Sequence, residues 1–205
     1  MKLYYTPGAC SLASHIAARE AGIGLDLVKV DIKAGRLEDG RSFKEINPKG
    51  YVPAVTMADG EVLTEGAAIL QYIVDQAPAG QLAPPAGTTG RYRFLEWLTF
   101  ITSEIHKGFG PLWNPASPAE TKDAAKAKLG ERFAYLDREL ASRAFLLGDQ
   151  FSAADAYLFT VMNWAGMHGI DLSPYPKLQA YLGRVAARPA VQDALRHEGL
   201  LQQAA

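Results

Sequence analysis

The opening stretch of the chain constrains its fold most, because it reads as strand, turn, helix and strand in that order. Leu3 to Tyr5 is a short apolar run, Pro7-Gly8 turns the chain, and Ser11 to Ala21 carries Leu12, Ile16 and Ala17 on one helical face before Gly22 stops it. Leu25 to Ile32, rich in valine and leucine, is the second strand. Such a β-α-β unit implies a right-handed crossover onto a parallel sheet. Cys10, the only cysteine, and Ser11 fall where strand gives way to helix. Unpaired backbone N–H groups and the positive end of a helix dipole meet there, an arrangement that can hold an anion and lower a cysteine pKa below about 8.5. A lone cysteine is otherwise a small buried hydrophobe; the position favours chemistry. His15, inside this helix beside core positions, reads as a packing or surface residue.

Composition excludes several classes of partner. Lysine plus arginine number 21 against 22 for aspartate plus glutamate, without a long run of like charge, so neither nucleic acid nor an anionic membrane is expected as the main partner. With 205 residues, 48% of them hydrophobic, the chain can build one large domain or two small ones. One cysteine builds no disulfide framework, and the first residues lack the apolar core of a signal peptide, so a reducing cytoplasm is expected. No stretch is long and apolar enough to span a bilayer. Four scattered histidines and one cysteine form no metal-ligand cluster, so no metal is expected.

Further along, Lys33 to Arg41 reads as a loop and Ser42 to Ile46 as about one helical turn before Asn47-Pro48. In Gly50 to Val55 a proline interrupts a strand pattern, so Pro53 belongs at an edge or at the strand's start. If the Val52–Pro53 bond is cis, which costs about 0.5–1 kcal/mol, the Val52 N–H and C=O can turn outward to pair with an extended peptide; a plain turn proline is the alternative. Ala54 to Met57 and Glu61 to Leu63 flank Asp59-Gly60 as a tight hairpin. Thr64-Glu65-Gly66 then opens a helix with Ala68, Ile69, Tyr72 and Ile73 on its apolar face. That start can read both charges of an α-amino acid, its N–H groups taking the carboxylate and Glu65 the ammonium, or Glu65 can simply favour its own helix dipole.

The prolines and glycines from Ala77 to Gly90 mark an interdomain linker, and the rest is helical. Phe94, Leu95, Leu98, Ile101 and Ile105 make one helix face, Leu129, Phe133, Leu136 and Leu140 another, and Leu178, Tyr181, Leu182 and Val185 a third. Ser152-Ala-Ala-Asp155 has the form of a capping box, with aspartate in place of the usual glutamate or glutamine. The helix it starts, Ala153 to Met167, is apolar on nearly all sides and is expected to be the buried axis of the second domain. His106 and Lys107 are placed near the end of the first long helix, where positive charge is favourable.

These stretches together resemble the glutathione transferases, specifically the bacterial cysteine-containing beta class. The match rests on Lys2 to Leu12, Asn47-Pro-Lys-Gly-Tyr-Val-Pro53, Leu63-Thr-Glu-Gly66, Ser103-Glu-Ile-His-Lys107 (with Ile105 where the family pattern has leucine), Asn114-Pro-Ala-Ser117 and Leu147 to Asp155. The resemblance implies an α/β thioredoxin-like N-terminal domain that binds glutathione (1–80), a linker (81–90), an all-α C-terminal domain with an electrophile site (91–205), and a homodimer. It implies that Cys10 faces the glutathione sulfur, where it can hold a mixed disulfide, and that His106 approaches the same sulfur. Val52, beside Pro53, would pair with the cysteinyl backbone, and Glu65 and Gly66 would hold the γ-glutamyl end. Ser103 and Glu104 would reach in from the partner subunit, while Ala9, Ser11 and Lys107 would line the pocket. Many family members have a lysine, reaching the glycyl carboxylate, where this chain has Gly35; only Lys33 or Arg36 could substitute.

An electrophile would lie between domains, with Phe109, Leu112, Trp113 and Trp164 as candidates for its apolar wall. Hydrogen bonds from the Cys10–Ser11 helix start and an imidazole would favour the glutathione thiolate. Tyr4 and Tyr5 precede the turn within a strand, which makes Cys10 the better candidate. Three activities remain open: conjugation to an electrophilic carbon; redox work through a Cys10 mixed disulfide, in thiol transfer, peroxide reduction or dehalogenation; and non-enzymatic binding on the same fold.

Overall fold

A computed structural model of the chain describes residues 1–201, which form two compact units, 1–84 with 187–201 and 85–186. The first unit holds a five-stranded sheet in the order β3-β2-β1-β4-β5. Its strands are β1 (Lys2–Tyr5), β2 (Asp26–Asp31), β3 (Arg36–Leu37), β4 (Ala54–Thr56) and β5 (Val62–Thr64). β1 and β2 are parallel, with Leu3 opposite Leu27, as the β-α-β pattern requires. The crossing helix α1 (Ser11–Glu20) buries Ser11 to Ala18, and it ends where Gly22, at φ 69°, lets Ile23 N–H reach back to the Ala18 carbonyl. β4 runs antiparallel to β1, and β5 antiparallel to β4 through the Asp59-Gly60 turn. Within the stretch read as a loop, the two-residue β3 folds back on β2.

Helix α2 (Gly66–Gln76) follows β5, burying Ile69, Leu70, Ile73 and Val74. These side chains, with Leu3, Leu12, Ile16, Val55 and Phe43, form the core of the unit; full burial of each large aliphatic contributes about 1.5–3 kcal/mol. Regular structure then stops until Thr89, inside the predicted linker.

The second unit is helical. Helix α3 (Thr89–Phe100) passes without a break into a π-helical turn (Ile101–His106), a 3₁₀ turn (Lys107–Phe109) and the short α4 (Gly110–Trp113). Helix α5 (Ala119–Glu139) turns Leu129, Phe133 and Leu136 inward. α6 (Ala153–Met162) is buried at every residue, as expected of an axis. It ends at Asn163, so the single helix expected to Met167 is two, with α7 (Trp164–Met167) completing it. α8 (Pro176–Ala186) packs Leu178, Tyr181 and Val185.

The compact units divide the chain differently from the expected 91–205 domain. α9 (Pro189–His197) packs against α1 and belongs with the first unit. Its buried face, Val191, Ala194 and Leu195, has helical spacing that the sequence reading passed over. Among the described residues no helix is long and apolar enough to cross a membrane.

Candidate active site

In the first unit, three loops bring the expected residues together. The peptide between Val52 and Pro53 is cis, the first of the two alternatives the sequence left open. The Cys10 Sγ–H donates to the Val52 carbonyl at 3.2 Å, so the thiol at the start of α1 lies against the residue that precedes Pro53. The Val52 side chain is buried, while its N–H has no acceptor among the described residues. Gly66, at the start of α2, stands with its Cα side toward Pro53, where an added Cβ would meet Pro53 Cγ at 3.8 Å.

The protonation of Cys10 corrects the expectation of an activated thiolate. Burial pushes the thiol up to about 11, outweighing the backbone N–H groups of Cys10 and Ser11, which pull it down, while Glu65 adds to the rise. At neutral pH the group is a thiol and a hydrogen-bond donor. Ser11 is fully buried and its hydroxyl both accepts from the Thr6 N–H (3.2 Å) and donates to the Thr6 carbonyl (3.3 Å), so it braces the turn from within. Ala9 is half-buried against the Tyr4–Phe43 cluster.

Glu65 is the only non-glycine residue with positive φ among those described, at 70°, a conformation that strains an L side chain. No side chain caps the helix at this residue. Its exposed carboxylate is held by the Lys49 ammonium and, at 2.9 Å, by the Tyr51 hydroxyl. Lys49 also reaches Thr64 Oγ1 at 3.0 Å. Buried Asn47 shapes the loop that carries both residues, donating to the Tyr51 carbonyl (2.7 Å) and accepting from the Lys49 N–H (3.1 Å). Sequence reasoning quoted Lys49 and Tyr51 in a motif but gave them no role; only the fold, which sets them opposite Glu65, reveals one. Of the two substitutes for the missing lysine at Gly35, Arg36 donates to the Gly40 carbonyl at 2.8 Å and Lys33 is exposed.

The second unit gathers another set. His106 closes the π-helical turn, a geometry often met at functional positions, and its Nδ1 lies 2.6 Å from the Tyr157 hydroxyl. Its ring meets Trp164 edge-on at 5.0 Å. Burial first, and Lys107 second, hold the imidazole down at about 4, so it is neutral at pH 7. This overturns the reading of His106 and Lys107 as positive charge at a helix end, since the chain continues in helical turns to Trp113. Gly108 permits that course: a Cβ there would lie 2.8 Å from Leu129 Cδ2, in a side chain that is itself fully buried.

The four apolar candidates differ in access. Phe109 is fully buried and Trp164 nearly so, and they meet edge-on at 5.6 Å, so both are interior packing. Trp113 is 46% exposed and packs on Trp164 and His168, and Leu112 is half-buried. Ser103 donates to the Thr99 carbonyl at 2.9 Å. The Glu104 carboxyl is held below its usual range by the Arg132 guanidinium at 2.8 Å, with Lys128 adding to the pull. Lys107 is exposed. No group of three or more potential metal-ligating side chains occurs among the described residues.

Comparison with known proteins agrees across nearly the whole chain. Residues 1–75 match the family model for the glutathione S-transferase N-terminal domain, and residues 100–189 the model for the C-terminal domain. The chain is 47% identical to glutathione S-transferase GstA of Escherichia coli O157:H7, covering 98% of this chain and 100% of that one. Among solved structures it is similar to a ternary complex of BphK, a bacterial transferase of this kind, with a TM-score of 0.95 and 54% identity over 98% of this chain and 100% of the other. A sphingomonad glutathione S-transferase complexed with glutathione gives a TM-score of 0.94 and 50% identity, again over 98% and 100% of the two chains.

Proposed function

This chain belongs to the glutathione S-transferase family and is a glutathione transferase, and from that premise we propose that it joins glutathione to hydrophobic electrophiles at a site built around Cys10. The observation that carries the reading is the Cys10 Sγ–H at 3.2 Å from the Val52 carbonyl, beside the strained Glu65 helix start. On this reading the tripeptide's cysteinyl backbone pairs with Val52, next to Pro53. Its γ-glutamyl ammonium joins Lys49 and Tyr51 at the Glu65 carboxylate, and its α-carboxylate takes the free N–H groups that open α2 at Gly66. Ala9 stands beside the sulfur, while Ser11, fully buried and bonded to Thr6, supports the turn from behind and does not line the pocket as expected. The neutral Cys10 thiol, turning its one proton from the Val52 carbonyl to the glutathione sulfur, then favours its thiolate. The resemblance assigns His106 as a second donor, a role its neutral ring can fill when the Tyr157 hydroxyl donates to Nδ1 and the proton sits on Nε2. The thiolate attacks an electrophilic carbon, the new C–S bond forms as the leaving group departs with its electron pair, and the thiol proton passes to solvent.

The same reading assigns residues 1–80 to glutathione binding and the electrophile to the helical part, with Trp113 and Leu112 as its surface and Phe109 and Trp164 behind them. Lys107 would face the bound anion. It carries with it a cytoplasmic homodimer active in detoxification, in which Ser103 and Glu104 reach the partner's glutathione.

Redox work through a Cys10 mixed disulfide is the second reading, favoured by the closeness of the sole thiol to the edge where a cysteinyl residue would lie. Its high pKa argues against a resting thiolate nucleophile. A paired assay separates them: conjugation of a chloro-nitrobenzene and reduction of a glutathione mixed disulfide, with wild type and Cys10→Ala. Conjugation that survives in Cys10→Ala with about tenfold loss, while disulfide reduction was never measurable, supports conjugation. Strong disulfide reduction that vanishes in Cys10→Ala supports the redox reading, and no activity together with no retention on immobilised glutathione leaves a binding protein.

A further inference from the structure

The turn that carries Cys10 is tied to the far end of the chain. Glu198, just past α9, has a fully buried carboxylate whose Oε2 accepts from the Gly8 N–H at 2.9 Å and whose Oε1 lies 3.0 Å from His15 Nδ1. Gly8 stands two residues before Cys10 at φ 71°, with Leu200 Cδ2 and Cδ1 at 3.5 and 3.8 Å from where a Cβ would be. On the other side of the turn, the Ala9 N–H bonds the Thr6 carbonyl and Ser11 bonds both polar groups of Thr6. One carboxylate therefore grips the turn before Cys10 and, through His15, the helix after it. His15, left without a role by the sequence, also accepts from Arg19 Nε at 3.4 Å.

We propose that Glu198 is a positioning residue for the Cys10 thiol: by holding Gly8 and His15 it keeps the turn closed, so that Cys10 stays packed against the Val52 carbonyl. Its action is geometric. Glu65, not Glu198, is the charged side chain that bears on Cys10, while Glu198 and Glu38 bear on Tyr5. A second tether of the same C-terminal segment provides the control. Arg188 makes a two-pronged ion pair with Glu20 at 2.6 and 2.8 Å, docking α9 on the far end of α1. The proposal rests on Cys10 belonging to the proposed site only for its functional consequence, because the thiol can be read without glutathione.

The test follows alkylation of Cys10 by iodoacetamide against pH in the full-length protein, for wild type, Glu198→Ala, Glu198→Gln and Arg188→Ala. Loosening the turn in Glu198→Ala hydrates the thiol and lowers its pKa, so the rate at pH 8 rises by about tenfold, the change in thiolate fraction that one pKa unit brings. Glu198→Gln, whose amide oxygen still accepts from Gly8, returns the profile toward wild type. Arg188→Ala lowers the melting temperature and leaves the profile in place. Should Glu198→Ala not fold, Glu198→Asp, which withdraws the carboxylate by one methylene, is expected to move the profile in the same direction. Profiles for the Glu198 variants that coincide with wild type, or an equal shift in Arg188→Ala, would overturn the proposal; an unaltered profile alongside normal glutathione binding would leave the glutathione reading intact.

Discussion

The helix start at Ser152 and the helix start at Cys10 solve one problem in opposite ways. At Ser152 the buried Asp155 carboxylate answers four donors: the Ser152 N–H (2.8 Å) and hydroxyl (2.7 Å), the Leu146 N–H (2.9 Å) and the Tyr181 hydroxyl (3.0 Å). At Cys10 no side chain caps α1, and at Glu65 none caps α2. Every helix start leaves backbone N–H groups unpaired within the helix. Where side chains close the start, the helix becomes an anchor; where they do not, the start remains available to an anionic ligand. The difference separates what stabilises this chain from what equips it for chemistry, and substitutions at the two kinds of start should reflect it.

The largest effect is expected at Asp155. Asp155→Ala strands four buried donors, and a loss of about 3–5 kcal/mol in denaturant unfolding is expected; a loss under about 1 kcal/mol would mean the closed start is no anchor. Ser152→Ala removes the cap and its contact to Asp155 but leaves the carboxylate in place, for about 1–2 kcal/mol. Smaller still is a pH effect from His106. Its folded pKa is about 4 against 6.5 for an ordinary histidine, so between those values the unfolded chain binds the extra proton. Stability therefore falls as pH drops from about 6.5 to 4, and His106→Phe should flatten that part of the curve. A slope identical in His106→Phe and wild type would show that another group titrates there.

How far the sequence foretold these features depended on how local their causes are. The β-α-β opening, Pro53 at the start of a strand (here β4, which lies inside the sheet and not at its edge), the Asp59-Gly60 hairpin and the Ser152–Asp155 box rest on neighbours within a few residues, and all are in the structure. The π-helical turn was hidden because Leu98, Ile101 and Ile105 fit an unbroken α-helix equally well. The neutral states of Cys10 and His106 depend on burial by distant segments, and dipole arguments from sequence pointed the other way for both. The His15–Glu198 contact joins residues 183 positions apart, which no local pattern can signal. Lys49 and Tyr51 escaped for the same reason: their role is visible only once α2 begins opposite them.

The claim that an open helix start receives glutathione meets its most direct test at Glu65. Calorimetric titration of glutathione into wild type and Glu65→Ala should show at least about a tenfold loss of affinity, roughly 1.4 kcal/mol, with unchanged unfolding because the Lys49 pair is exposed. Equal affinity in the two proteins would contradict the account.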